Sequence, residues 1–253
     1  MDGILAGDYE LVNGMFQQVV LRDSTFGGAY SLWYSSPVAF ASGDCFFSGS
    51  IDYSSLFHEM GHNFTANSPA SFRYGGKVDG CANAIVGETV ARWFQQTVAF
   101  ELLNNPVKYG IPDDVASAIA SSASNMMRGV RYSYDAYVAA GKPFSSWNSP
   151  DTAVDETFGT FTTLAYRFFV HADAIQDCKG PLTRAMKLLN TFKSAMLSQY
   201  APSENTEAAA TFRSTLMVAA ISYGFAQDLR SEFRQLGFPI DDSTFSTLYA
   251  SLP

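Results

Sequence analysis

Two of the chain's three histidines stand four residues apart, in His58-Glu59-Met60-Gly61-His62. On a helix, residues i and i+4 lie one turn apart on the same face. Both imidazoles can then reach one ion at the roughly 2.0–2.1 Å that zinc takes from nitrogen. Glu59 is turned about 100° around the helix from His58, so it can face a water activated by the metal without being a ligand itself. His-Glu-x-x-His is the signature of zinc hydrolases in which that glutamate is the general base. The competing reading is an ordinary amphipathic helix with two histidines and a solvated glutamate. The scarcity of histidine weighs against it, because a chance pair flanking a glutamate is rarer in such a chain.

A catalytic zinc keeps three protein ligands and one open position, so a third ligand must come from a carboxylate or from His171. The best carboxylate is Glu88, in the run Asn83-Ala84-Ile85-Val86-Gly87-Glu88-Thr89-Val90-Ala91-Arg92-Trp93-Phe94. Ile85, Ala91, Phe94 and Val98 recur at helical intervals, and Glu88 lies inside that run. A carboxylate among apolar helix positions is costly unless it is paired or metal-bound. The alternative partner is Arg92, four residues on, at a favourable helical spacing. Gly87 beside it is expected to let another backbone, such as the metal helix, approach closely.

These side chains need helices to hold them. Asp52, Ser54 and Ser55 are N-cap candidates ahead of Leu56-Phe57, and Leu56, Met60 and Phe64 form an apolar stripe that would pack in a core. Before residue 50, Phe16 to Leu21 and Ala29 to Phe40 are rich in Val, Phe, Tyr and Trp and broken by Gly and Ser, as strands and turns are. After it, helical periodicity predicts elements near 53–66, 82–104, 113–127, 153–175, 181–200, 205–222 and 227–236. Pro112-Asp113-Asp114 and Gly180-Pro181 are good helix openings. The segment Gly141 to Asp151, with Pro143, Trp147 and Pro150, predicts a long loop that could rim a cleft. The expectation is an α+β, predominantly helical chain. Residues 1–50 form a small N-terminal β portion and residues 51–253 a helical lobe carrying the zinc site, together one catalytic unit.

The ligand pattern resembles the gluzincin clan of zinc peptidases, in which a downstream glutamate completes His-Glu-x-x-His. Ser68 stands where a metzincin would place a third histidine, and Arg92 where thermolysin relatives place an aspartate. Gly87 replaces the asparagine that usually precedes the ligand glutamate of single-zinc aminopeptidases. The closer resemblance is to the enhancin-like, mucin-degrading gluzincins, carried by Gly61-His62-Asn63 and by Glu88-Thr89-Val90. A second point of similarity is Asp228-Leu229-Arg230-Ser231-Glu232-Phe233-Arg234-Gln235-Leu236-Gly237-Phe238-Pro239-Ile240, which is similar to the helix and turn that close this family's catalytic domain. Leu236 stands there where tryptophan is common. Read from its residues alone, the segment is a helix capped by Asp228, ended by Gly237 and stopped by Pro239.

The resemblance implies a zincin-like catalytic domain, Zn²⁺ bound by His58, His62 and Glu88, and hydrolysis of protein or glycoprotein peptide bonds with Glu59 as general base. It also implies export or attachment at the cell surface, and an edge strand, guessed at Ala29 to Phe40, that holds substrate by β-augmentation. Oxyanion donors would be sought among Tyr166, His171, Tyr132, Tyr134 and Tyr137, although a lone histidine in Arg167-Phe168-Phe169-Val170-His171-Ala172 is more often structural. The rival classes are a non-catalytic zinc-binding module used for adhesion and a zinc aminopeptidase.

Composition excludes other classes. Charged residues are only 16% of the chain and hydrophobic ones 47%, against roughly 25% charged in ordinary soluble domains. A sizeable core is therefore expected under a surface of neutral polar side chains. A net charge of −8 without a basic stretch argues against nucleic acid. Cys45, Cys81 and Cys178 lack metal or redox spacing and read as small buried hydrophobes. The apolar stretch Leu216 to Ala226 is too short to span a bilayer and predicts a core helix. Met1-Asp2-Gly3-Ile4 does not look like a secretory leader.

Overall fold

In the computed structural model, residues 18–22, 29–31, 37–41, 46–47, 50–66, 84–144, 154–189, 191, 196–201 and 206–250 are described. Cys45, Cys81, Ser68, the leading residues Met1 to Ile4 and most of the loop from Gly141 to Asp151 lie outside them. The described chain is predominantly helical, as expected. Its helices are α1 (Tyr53–Ala66), α2 (Ala84–Asn104), α3 (Pro106–Tyr109), α4 (Asp113–Ala139), α5 (Val154–Ile175), α6 (Lys179–Leu189), α7 (Leu197–Tyr200), α8 (Glu207–Phe225), α9 (Arg230–Gln235) and α10 (Asp242–Ala250).

Short strands precede them: β1 (Gln18–Arg22), β2 (Ala29–Ser31), β3 (Pro37–Ala41), β4 (Phe46–Phe47) and β5 (Ser50–Ile51). They pair in the order β1-β3-β2, with β1 parallel and β2 antiparallel to β3, while β4 and β5 form a separate ribbon. Ala29 faces Phe40 and Ser31 faces Val38 across the β2–β3 ladder. Among the described residues, pairings this short do not support the expected N-terminal β portion over residues 1–50, nor the zincin-like fold.

The core belongs to the helices. α8 is buried over most of its length, and Leu216, Met217, Val218, Ala219, Ala220 and Ile221 in succession are all fully buried; a helix buried on every face is a core helix. α6, α7, α9 and α10 pack around it, and α5 joins it to α2. α2 is the second buried helix, with Ile85, Val86, Val90, Trp93 and Phe94 inside. Trp93 stacks on Phe168 of α5 at 4.9 Å between ring centroids. α1 lies against the opposite side of α2. A smaller cluster of Phe57 from α1, Ala99 from α2, and Ile119 and Ala123 from α4 clamps these three helices together.

Local chemistry explains the helix ends. Thr206 caps α8 by accepting the Ala209 N–H at 3.2 Å. After α9, Gly237 has φ +81°, and a Cβ there would meet the Lys142 carbonyl oxygen at 2.7 Å, so both backbone shape and space call for glycine. The Phe238 N–H returns to the Phe233 carbonyl at 3.0 Å, and the buried Tyr137 hydroxyl donates to the Leu236 carbonyl at 2.6 Å. The turn that closes α9 is thereby docked on the end of α4.

Three expectations are corrected. α4 runs on to Ala139 instead of stopping near 127, because Val130 and Tyr137 continue its buried face. The single helix expected over 181–200 ends at Leu189 and resumes at Leu197. There Thr191 turns both its N–H and its hydroxyl onto the Leu188 carbonyl, at 2.9 and 2.7 Å, a local competitor of helix continuation. α10 was not foreseen in its Ser/Thr-rich sequence, yet Asp241 accepts the Thr244 N–H at 2.7 Å, and Phe245 and Leu248 are buried three residues apart.

Candidate metal centre

α1 begins where the sequence puts its cap. Asp52 Oδ1 accepts the N–H groups of Ser54 and Ser55 at 3.1 and 3.3 Å, and Oδ2 accepts the Ser55 hydroxyl at 2.6 Å. Ser122 of α4 joins this cap, donating to Asp52 Oδ1 at 2.7 Å and accepting the Ser54 N–H at 2.9 Å. Burial alone would push the Asp52 carboxyl up, but these hydrogen bonds hold it below its usual value. The rotation of α1 is thus set at its first turn, by its own cap and by a neighbouring helix.

That rotation differs from the expected one. The fully buried side of α1 carries Ser54, Phe57 and Gly61, while Leu56 and Met60 are half-buried; the side chain of Phe64 lies outside the described residues. Gly61 is the point of closest approach to α2. A Cβ at Gly61 would meet Ala91 Cα at 2.9 Å, the Ala91 carbonyl oxygen at 3.0 Å and Phe94 Cβ at 3.1 Å. Gly87, which the sequence suggested for this role, has nothing within 4 Å of its Cβ position. The crossing therefore uses the glycine between the two histidines.

Gly61 is three residues beyond His58, and Ala91 three beyond Glu88, so the crossing lies one turn from His58 on α1 and from Glu88 on α2. His58 Nε2 and His62 Nε2 are 3.0 Å apart. Glu88 Oε2 is 3.1 Å from His58 Nε2, and Glu88 Oε1 is 3.4 Å from His62 Nε2. Among the described residues, His58, His62 and Glu88 are the one group of three whose donor atoms could hold a metal ion. Donor atoms in a tetrahedral site with bonds of ~2.0–2.1 Å stand about 3.3 Å apart, which is the scale of all three separations. The chemistry of the donors also fits: two aromatic nitrogens and a carboxylate converge on one point, and a nitrogen carries at most one proton to share between its two neighbours.

Electrostatics favour the ligand state. Removal from water pushes His62 below its ordinary value, toward the neutral form that binds metal. Burial would raise Glu88, but the field of His62 and the hydrogen bond to His58 hold it well below the usual carboxylate range. The group is still open to a cleft, with 15%, 20% and 35% of the His58, His62 and Glu88 side chains exposed. Glu59 is not one of the converging donors. Burial raises its carboxyl to about 7, with the His62 field opposing and the Glu88 field adding, so it shares the site electrically without being a ligand.

Arg92 does not form the ion pair with Glu88 that was the competing explanation; Glu88 turns to the histidines. Its guanidinium lies 5.5 Å over the Phe161 ring. Desolvation lowers its pKa and the field of Glu88 opposes that. Beside His58 opens a cavity of about 370 Å³, lined by the cap residue Asp52 and Ser55 of α1, Arg92 and Gln95 of α2, and Ser121 and Ser122 of α4, among others. Sequence reasoning missed this pocket because its walls come from three helices, and no local pattern marks Gln95 or the serines of α4.

Most of the oxyanion candidates are engaged in contacts of their own. His171 Nε2 is 3.0 Å from Glu232 Oε2, and the same carboxylate accepts Arg167 Nε at 2.5 Å, so this histidine ties α5 to α9. Tyr137 is committed to the Leu236 carbonyl. Tyr134 and Tyr166 pack ring to ring at 4.5 Å, and Tyr132 is exposed. Cys178 is free and buried, with its thiol pushed up to about 12 by burial. No described helix is long and apolar enough to cross a membrane.

Compared with known proteins, the chain matches no family model, no curated protein and no solved structure. The functional reading therefore rests on the residues and their arrangement.

Proposed function

We propose that the chain is a zinc-dependent metallopeptidase that hydrolyses internal peptide bonds of proteins or glycoproteins. The observation that carries this reading is the convergence of His58, His62 and Glu88, with Glu59 beside them and outside the donor set. Two imidazoles and a carboxylate are a recurrent donor set of catalytic zinc and leave a fourth position open. Bound there, zinc would supply Lewis acidity, polarising a carbonyl and making water a competent nucleophile near neutral pH.

The protein's own residues do the rest. His58 and His62 present imidazole nitrogens from one helix face, and Glu88 brings the carboxylate from α2. Glu59 takes the proton of the attacking water on its carboxylate and delivers it to the leaving amine. A dication beside it would draw its pKa down from the metal-free value of about 7, so that it is ionised when a proton must be accepted. β2, which pairs with β3 and lies against α1, is the strand we assign to holding the substrate main chain by β-augmentation. The resemblance to the enhancin-like gluzincins supports a zincin-like catalytic domain, a glycoprotein substrate and a location outside the cell or on its surface as parts of the same proposal.

The test measures bound zinc and peptidase activity together, on glycosylated and unglycosylated protein substrates. Glu59→Gln is expected to keep its zinc and lose at least 100-fold in activity, on the order of a lost general base. Glu88→Ala is expected to lose zinc while remaining folded. Unchanged activity in the first variant, or full zinc in the second, refutes the assignment. Activity that requires a free substrate N-terminus would instead identify an aminopeptidase, and zinc without hydrolysis a binding module.

A further inference from the structure

We infer that the pocket between α1, α2 and α4 is a subsite for a carboxylate on the substrate, read by Arg92. This deepens the peptidase reading and rests on it for the identity of the ligand as a peptide. The pocket begins at His58, so whatever fills it lies next to the metal group. Two of its lining side chains carry buried polar atoms with no hydrogen-bond partner, Arg92 Nε and Gln95 Oε1. They stand three residues apart on α2 and so face the same way. One belongs to a cationic side chain and the other to a neutral amide, and among the lining residues Arg92 brings the positive charge that a carboxylate would meet.

Charge accounting points the same way. Among the described residues no carboxylate forms an ion pair with Arg92; its partners are the Phe161 ring and the field of Glu88. A metal ion on Glu88 would cancel that field and leave the guanidinium without a counter-charge. Asp52, the acidic residue in the pocket wall, already accepts hydrogen bonds from Ser54, Ser55 and Ser122. At the α4 side, Arg128 donates to Asn125, another lining residue, which adds positive potential at the rim. One planar guanidinium among hydroxyls and amides, in a wall that also holds the hydrogen-bonded Asp52 carboxylate, suits a single carboxylate.

The experiment separates binding from cleavage. Zinc-loaded Glu59→Gln protein is titrated with fluorescent peptides in matched pairs. One series carries a single Glu or Gln at each successive position, and the other ends in a free or an amidated C-terminus. The acidic member of one pair is expected to bind at least tenfold more tightly, and the series in which this occurs says whether the carboxylate is a side chain or a chain end. Arg92→Gln, and independently Ala118→Phe, which fills the pocket from α4, are expected to reduce that preference to less than threefold. Equal affinity within every pair, or a preference that survives Ala118→Phe, overturns the inference. Acid preference in a protein whose parent cleaves nothing would preserve the subsite and refute the peptidase instead.

Discussion

The crossing at Gly61 makes a prediction in which one methyl group acts on metal affinity from outside the ligand set. In Gly61→Ala the new Cβ would lie 2.9 Å from Ala91 Cα and 3.1 Å from Phe94 Cβ, whereas carbon atoms rest about 3.5–4.0 Å apart. Backbone stands on the far side, so the conflict is relieved only if α1 and α2 separate by about 0.5–1 Å. His58 and His62 travel with α1 and Glu88 with α2, so the spacings of 3.1 and 3.4 Å open by a similar amount. Metal bonds tolerate about 0.2 Å. Zinc affinity is therefore expected to fall about 10- to 100-fold, the size of effect seen when a ligand's support is lost. Stability should move less, because an overpacking cost of about 1–3 kcal/mol is offset by the roughly 1 kcal/mol that alanine gains over glycine in a helix. The assay is competition for zinc against a chelator of known affinity, with urea unfolding of the metal-free protein alongside. Gly87→Ala is the control: it sits beside a ligand but has open space at its Cβ, and it should bind zinc as the parent does. Parent-like affinity in Gly61→Ala, or an equal loss in Gly87→Ala, would refute the argument that the α1–α2 crossing sets the reach of Glu88.

Two further outcomes test the helical lobe. Burial opposes the ionisation of Glu232, but hydrogen bonds from His171 and Arg167 hold its carboxyl at about 2, below the model-compound value of 4.5. A carboxylate depressed in the fold contributes stability above its unfolded pKa and loses it as pH falls through the folded one, so the contribution should vanish between pH 4.5 and about 2. The linkage is worth about 3 kcal/mol in full and roughly 2 kcal/mol after allowing for partial exposure. Glu232→Gln should cost that amount at pH 7 and little at pH 2; an equal cost at both, in denaturant titrations, refutes the pairing. Tyr137→Phe removes the buried donor to the Leu236 carbonyl and should cost about 1–2 kcal/mol, while zinc content stays unchanged. A Tm equal to the parent's would show that the turn after α9 does not depend on that bond.

Much of the site was legible because its parts are local. The four-residue step of His58 and His62, the cap at Asp52 and the placement of Glu88 inside an apolar run all follow from helical periodicity, and the folded chain brings those residues together. The α9 turn was legible for the same reason, since a left-handed residue after a helix calls for glycine and proline ends the element. Features that depend on a partner were not. Gly87 looked like the site of close approach and Gly61 like a mere mark of resemblance, yet their roles are reversed, because the rotation of α1 is set partly by Ser122 on another helix. The helix over 181–200 was read as continuous because the pattern cannot register Thr191 bonding back to Leu188. The sequence by itself determined which side chains are candidates to hold a metal and which neighbouring carboxylate is not among them, since residue type and spacing settle donor chemistry. Only the tertiary structure decided that Glu88 turns to the histidines and leaves Arg92 facing a pocket. That choice depends on how closely two helices can pack, and the distance is set by an atom that Gly61 does not have.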